Sequence, residues 1–421
     1  MTTSPLFDRP SAPGHLPGAA ARRRPVGRAT VRILIACLAL LGPLLIAPSA
    51  QANNSHKILG TRWSNGPSMI TTVSGATVVT WTSTIQGSAN RTLWVKRYTK
   101  AKGWQGVHVN MKPAGLPSAI HVDSTPILVE DRKARRVLLV AHAAGPSTDK
   151  YFGTYAWVST DNGYTFSAPR RVWKYFDAAS IALDGKGGFF LFTDLVGITG
   201  VHVNANLTSA TYPAGQPDPK NPTEYLTDRF SSRLVVGVAI AGNSRTPMWM
   251  YADLQNVWVH RGFTIGRSYD TRVWGGAVPG QGAAIAGDTI RTVVATIRAN
   301  VAHTLWVRQI SADGKLGAAK RITADYVTSY SITPLVTSTG KDTGRFQAVW
   351  ITYQGAVKYA RSLTTNPAGA WSTAVQVATP RSDGLQYLGN PVATPSFVAF
   401  GGWSAKVGDA VGITANAKAT G

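Results

Sequence analysis

Along residues 53–421 apolar and polar positions alternate in short runs, and almost nowhere do they repeat at the spacing of a helix. Val, Ile, Thr, Trp and Tyr gather in runs separated by Gly, Pro, Asn and Asp, the strand-and-turn pattern of an all-β chain. The runs recur as "TLWVKRY" (92–98), "YAWVSTD" (155–161), "GVHVNAN" (200–206), "NVWVHRG" (256–262), "TLWVRQI" (304–310), "VKYARSL" (357–363) and "VGITANA" (411–417). The steps between Trp94, Trp157, His202, Trp258, Trp306, Lys358 and Gly412 are 63, 45, 56, 48, 52 and 54 residues. That period suits four-stranded antiparallel propeller blades.

Each copy follows a strand of matching character, from "TVVTWTS" in the first to "SFVAFGG" in the last. Six copies precede a short outer strand such as "SAPRRVW" or "AAKRIT"; the seventh reaches Gly421 without one. A spare strand-like segment, "HKILGTRWS" (56–64), stands at the other end. Laid into the last blade, it fills the vacancy and leaves the ring no unpaired edge. The pattern predicts a β-propeller of seven blades closed by its N-terminal strand. Six blades is the alternative, because copies three and seven are weakly marked.

Residues 1–52 read differently. Arg22, Arg23, Arg24, Arg28 and Arg32 precede an apolar run from Ile33 to Ala47, and "PSAQA" offers a small-residue cleavage site ending at Ala52. That order predicts a secretory signal peptide, with residues 53–421 as a single exported propeller domain. The apolar run, broken by Gly42-Pro43, is short of the roughly 20 residues that span a bilayer, so no membrane span is expected after cleavage. "LIAC" (34–37) looks like a lipoprotein box, but the apolar run continues past Cys37.

Cys37 is the sole cysteine, so cleavage removes disulfide and thiolate chemistry and leaves burial to hold the domain together. Of 43 basic and 20 acidic side chains, 37 and 19 remain after residue 52, a net charge of +18. Such a field draws anionic partners. Export makes nucleic acid the weaker choice, and a glycan or anionic cell-envelope polymer the stronger.

"STDNGYTF" (159–166), between the third and fourth strands of the second copy, resembles the Asp-box of sialidase-like propellers at Ser159, Asp161, Gly163, Thr165 and Phe166. "SADGKLG" (311–317) and "TTNPAGAWS" (364–372) are degenerate echoes. The chemistry of the box is local: Asp161 accepts backbone N–H groups, Gly163 permits a left-handed turn, and Phe166 plugs the outer strand. The resemblance implies the sialidase-like fold, with the box on the face away from the ligand. It would also imply an arginine triad, an Asp acid/base and a Tyr activated by Glu, none of which carries over. "NGPSMI" stands where Arg-Ile-Pro would, and Glu130 and Glu224 are the only glutamates.

No nucleophile elbow, His-Glu-x-x-His metal site or phosphate loop is present. The histidines are scattered singly, and no metal or cofactor is expected. Asp177, Glu224 and Asp228 are the weak candidates for acid/base work. Tyr and Asp recur in the connections that enter the first strands: Asp123; Tyr175 and Asp177; Tyr225, Asp228 and Arg229; Asp325, Tyr326 and Tyr330; Arg381, Asp383 and Tyr387. These make a ring of flat apolar faces and acceptors suited to sugar or peptide. Trp274, Trp403 and Tyr151 are further candidates in loops on that face, whereas the Trp94–Trp306 register reads as packing. The reading favours a monomeric, non-catalytic binder. A glycoside hydrolase with Asp acid/base residues and a protein-docking propeller are its alternatives.

Overall fold

The computed structural model describes residues 57–61, 65–84, 91–105, 121–122, 125–144, 152–173, 180–193, 199–207, 210–211, 237–241, 246–252, 256–262, 267–275, 283–298, 301–337, 341–378, 386–404 and 408–416. All lie in the compact unit Ala52–Gly421; residues 1–51 form a separate unit outside the described set.

Seven small antiparallel sheets form a seven-blade β-propeller. Blade 1 is Asn65–Thr71, Thr77–Thr84, Arg91–Thr99 and Gly103–Gln105. Blade 2 is Ile127–Asp131, Arg136–Ala144, Gly153–Ser159 and Arg170–Trp173, with His121–Val122 added beside its second strand. Blade 3 is Ser180–Leu183, Phe189–Thr193, Thr199–Val203 and Ala210–Thr211. Blade 4 is Gly237–Ala241, Thr246–Ala252, Asn256–Arg261 and Asp270–Gly275. Blade 5 is Ala283–Gly287, Thr292–Arg298, Thr304–Ile310 and Leu316–Arg321. Blade 6 is Val327–Val336, Asp342–Thr352, Val357–Arg361 and Val375–Ala378. Blade 7 takes Gln386–Ala393, Phe397–Ser404 and Gly408–Ala415 from the C-terminal end and Lys57–Thr61 as its outer strand.

The inner strands touch in ring order and the last meets the first, which closes the circle. The N-terminal strand pairs Lys57 with Ile413 and Ile58 with Gly412. Seven sheets settle the blade count, and the six-blade alternative falls. The weak copies have physical reasons. In blade 7 a Cβ on Gly412 would sit 2.4 Å from Phe400 Cε2, so the ring of Phe400 occupies the space that Trp fills elsewhere. In blade 3 the equivalent His202 packs on Phe190 and hydrogen-bonds Asp184.

The core lies between blades, in clusters that each join neighbouring sheets. Val78, Leu93 and Val95 of blade 1 pack with Leu139, Tyr155 and Trp157 of blade 2. Ile297, Leu305 and Val307 of blade 5 pack with Phe346 and Trp350 of blade 6. Central-strand runs such as Thr292–Ile297, buried throughout, face a neighbour on both sides and so read as continuously apolar or Thr.

Candidate functional site

Antiparallel order fixes two faces. Blade-to-blade connections and the turns between second and third strands share the upper face. Turns between first and second, and between third and fourth strands, share the lower face.

The lower face shows why "STDNGYTF" is a turn. Ser159 Oγ donates to Asp161 Oδ1 at 2.7 Å and accepts Gly163 N at 2.8 Å. Asp161 then accepts Tyr164 N at 3.0 Å, Thr165 N at 2.8 Å and Thr165 Oγ1 at 2.5 Å. Slight burial opposes ionisation of Asp161, but the bonds from Thr165, Ser159 and Tyr164 outweigh it and hold the carboxyl below its ordinary value. Phe166 packs against the cluster between blades 1 and 2. Every bond of the segment stays in the scaffold. The echo at Ser311 repeats the design: Ser311 donates to Asp313, and Gly314 turns at φ +85°. Both turns are latched from the preceding blade. Arg97 Nε reaches the carbonyl of Asn162 at 2.9 Å, and Arg261 Nη1 that of Asp313 at 2.7 Å. Each arginine lies three residues after the marker tryptophan, Trp94 or Trp258, a signal present in the sequence and missed there.

On the upper face, the described residues concentrate at the junction of blades 5 and 6. Three aromatic rings meet there. His303 stacks on Tyr326 with centroids 4.3 Å apart and planes 14° apart, and Tyr353 meets Tyr326 edge-on at 5.3 Å. Backbone bonds fix the segments: Val327 N donates to His303 O at 3.0 Å, and Tyr353 N to Tyr326 O at 2.9 Å. Tyr326 is 42% exposed and Tyr353 72%. Ala302 and His303 both hold left-handed φ values, 52° and 53°. Two adjacent non-glycine residues in that region cost roughly 1–2 kcal/mol each, a strain that tends to collect at functional sites.

Asp325 precedes Tyr326 in the same connection. It accepts Lys358 Nζ at 2.8 Å, Trp350 Nε1 at 3.0 Å and Thr323 Oγ1 at 2.9 Å. Burial works to raise its carboxyl, but these bonds and the Lys358 charge prevail and keep it below the usual range. An ionised, fully engaged carboxylate of this kind positions its neighbours and has no free proton to give.

Of the sequence-predicted site residues, Asp325 and Tyr326 therefore stand at the junction. Tyr330 lies inside the first strand of blade 6, half-buried, with its hydroxyl donating to Ala295 O at 2.8 Å; burial pushes that hydroxyl well up. It is engaged in packing blade 5 against blade 6. Trp274 is corrected more sharply: it belongs to the outer strand of blade 4, not to a loop, and is 5% exposed. Its side chain fills the seam between blades 4 and 5. Tyr387 and Trp403 fall within blade 7 strands, and their own side chains are outside the described set. Asp123, Tyr151, Tyr175, Asp177, Glu224, Tyr225, Asp228, Arg229, Arg381 and Asp383 lie outside the described residues. His303 and Tyr353 were missed. Each is a lone aromatic in a tight turn, and only the fold brings them to Tyr326. No cluster of three or more metal-ligating side chains occurs among the described residues.

No protein-family model matches the sequence, and no curated protein is similar to it. Among solved structures, the BP39L lectin from Burkholderia pseudomallei aligns with a TM-score of 0.49 at 13% identity, over 86% of this chain and 97% of that one. A Hadza microbial sialidase, Hz136, aligns at 0.43 and 13% over 84% and 65%. The intramolecular trans-sialidase from Ruminococcus gnavus aligns at 0.41 and 12% over 89% and 96%.

Proposed function

We propose that the protein is an exported, non-catalytic β-propeller that binds carbohydrate, on a glycan or cell-envelope polymer, through its upper face. In this reading Ser159–Phe166 is a structural Asp-box of the sialidase-like kind, and residues 1–52 are a signal peptide removed after Ala52. The observation that carries the reading is the His303–Tyr326–Tyr353 cluster. Pyranose rings present a flat patch of C–H groups, and two tyrosine rings inclined at 63° offer both apolar contact and phenolic hydrogen bonding. Tyr326 follows an anchored carboxylate and His303 sits in a strained turn, a rigid support of the sort that recognition requires.

The test is a glycan array followed by calorimetry on the best ligand. Tyr353→Ala should weaken binding roughly three- to tenfold, the worth of one aromatic contact, without moving the melting temperature, because Tyr353 is largely exposed. Release of sugar that Asp177→Asn or Asp228→Asn abolishes would replace this reading with the hydrolase one.

A further inference from the structure

Blade 5 carries a second feature at its upper end, on the side facing blade 4. Arg298 closes the second strand there and pairs across the sheet with Thr304. Its guanidinium lies over Trp306 at 5.2 Å and over Trp274 of blade 4 at 5.9 Å. Arg308 approaches the same Trp274 ring at 5.3 Å. The cluster is fixed in place. The indole of Trp306 donates to Thr304 Oγ1 at 2.8 Å, which in turn donates to Val301 O at 2.7 Å. Arg308 gives Nε to Gly317 O and Nη1 to Val273 O, both at 2.9 Å.

Two donors in this stack have nowhere to go. Arg298 Nε–H and the indole Nε1–H of Trp274 are both buried and without a hydrogen-bond partner. A buried donor left unmade costs about 1–3 kcal/mol, and native structures rarely tolerate one, let alone two side by side. Two other orphaned guanidinium nitrogens face an opposite charge: Arg132 Nε lies 3.4 Å from Glu130, and Arg136 Nε lies 3.5 Å from Asp131. Neither Arg298 nor Arg308 has a carboxylate partner among the described residues. Guanidinium groups stay protonated, so the seam holds two positive charges, two indole faces and two idle N–H groups.

We infer that the seam between blades 4 and 5 is a binding site for an anionic oxygen group, a carboxylate, phosphate or sulfate ester, held by Arg298 and Trp274 N–H with Arg308 behind. Charge decides against a neutral occupant. Water would satisfy the two donors but would leave both cations uncompensated, whereas an oxyanion answers both deficits at once. The seam lies at the same end of the blades as the aromatic cluster, and blade 5 stands between them. A polymer crossing blade 5 would meet rings on one side and a cation on the other. The anion site itself does not depend on the glycan reading.

The experiment follows the Trp274 indole N–H resonance in the 15N-labelled domain, identified by its loss in Trp274→Phe. Inorganic phosphate, titrated at constant ionic strength with chloride, should move that resonance in a saturable way. Arg298→Met should weaken the response tenfold or more, the worth of a hydrogen bond to a charged group, and Arg298→Lys should restore part of it. Dextran sulfate in place of phosphate tests a polymer as the carrier. A shift at lower anion concentration assigns the site to polyanions, and a shift with phosphate alone assigns it to small solutes; unsulfated dextran should leave the resonance in place. A resonance that ignores both anions, or one that responds equally in Arg298→Met, means that the seam holds only water, and the inference fails. Should Arg298→Met not fold, the wild-type titration and Arg298→Lys still decide. A phosphate response that persists in a protein without glycan binding would remove the proposed function and leave this site standing.

Discussion

Gly163 turns at φ +82°, and a Cβ built on it would lie 2.5 Å from Val78 Cγ2 in the neighbouring blade. Two penalties therefore meet at one position: the left-handed backbone, about 1–2 kcal/mol for any other residue, and overpacking against blade 1, about 1–3 kcal/mol. Gly163→Ala should lose roughly 2–5 kcal/mol in urea denaturation, and adding Val78→Ala should recover the packing share while leaving the backbone share. Recovery of nothing would mean that the turn does not touch blade 1. The glycine was legible in the sequence because the turn is local and every partner of Asp161 lies within four residues of it. The aromatic site was legible only in part. Asp325 and Tyr326 stood in one connection and could be named together, but Tyr353 reaches Tyr326 through strand pairing within blade 6, and His303 through the contact of blade 5 with blade 6. Tyr330 shows a complementary limit: a tyrosine hydroxyl can serve a neighbouring carbonyl, as it does at Ala295 O, as readily as a ligand, and the sequence does not say which.

At the level of strands and blades the sequence speaks more fully, because the repeat multiplies a weak local signal by seven. The register that aligned Trp94, Trp157, Trp258 and Trp306 is the register of the third strands: Trp94 stands opposite Trp81, Trp157 opposite Leu139, Trp258 opposite Tyr251 and Trp306 opposite Thr296. Trp81 and Trp94 stack at 6.4 Å with planes 13° apart, as do Tyr251 and Trp258 at 6.4 Å and 11°, so the markers are packing elements. Closure was legible as one vacancy matched by one spare strand. It makes a direct prediction. A chain beginning at residue 53 should fold, and one beginning at residue 65 should not hold its last blade, since Gly408–Ala415 would become an exposed edge. At about 1 kcal/mol for each lost backbone bond, the shortened chain should forfeit several kcal/mol and aggregate on heating, as light scattering during a thermal melt would show. Equal melting of the two chains would mean that Lys57–Thr61 contributes nothing to the ring.

The strand that closes the circle is joined by a second restraint, invisible in the sequence, that runs across it. Arg132, in the lower-face turn of blade 2, lies 3.4 Å from Glu130 of its own blade and also hydrogen-bonds Asp342 of blade 6, which is not a neighbour. Glu130 accepts Val73 N of blade 1 at 2.7 Å, and Asp342 accepts Thr289 Oγ1 of blade 5 at 2.8 Å. Asp288 of blade 5 accepts Gly344 N of blade 6 at 2.9 Å. Four blades are thus tied through one cation, and residues more than two hundred positions apart must meet for it to form, which no local pattern could announce. This network is rich in acid: Glu130 and Asp342 meet Arg132, and Asp288 feels the Asp342 charge. Burial, first among the causes, raises the carboxyl of Glu130 despite the Val73 N–H and the Arg132 charge that work to lower it. Burial also raises Asp288, with the Asp342 charge adding to it. A carboxyl raised in the folded state favours folding most when it is protonated in both states, below the unfolded glutamate value of about 4.3, and that contribution is lost as pH climbs through the higher folded value. Glu130→Gln keeps an oxygen for Val73 N and cannot ionise, so it fixes the favoured state. The variant should gain stability relative to the wild type as pH rises from about 4 to neutrality, read as the difference in urea midpoints at each pH. A gap that shrinks over that range would mean that the Arg132 charge outweighs burial at Glu130, and that the tie across the ring is strongest at neutral pH.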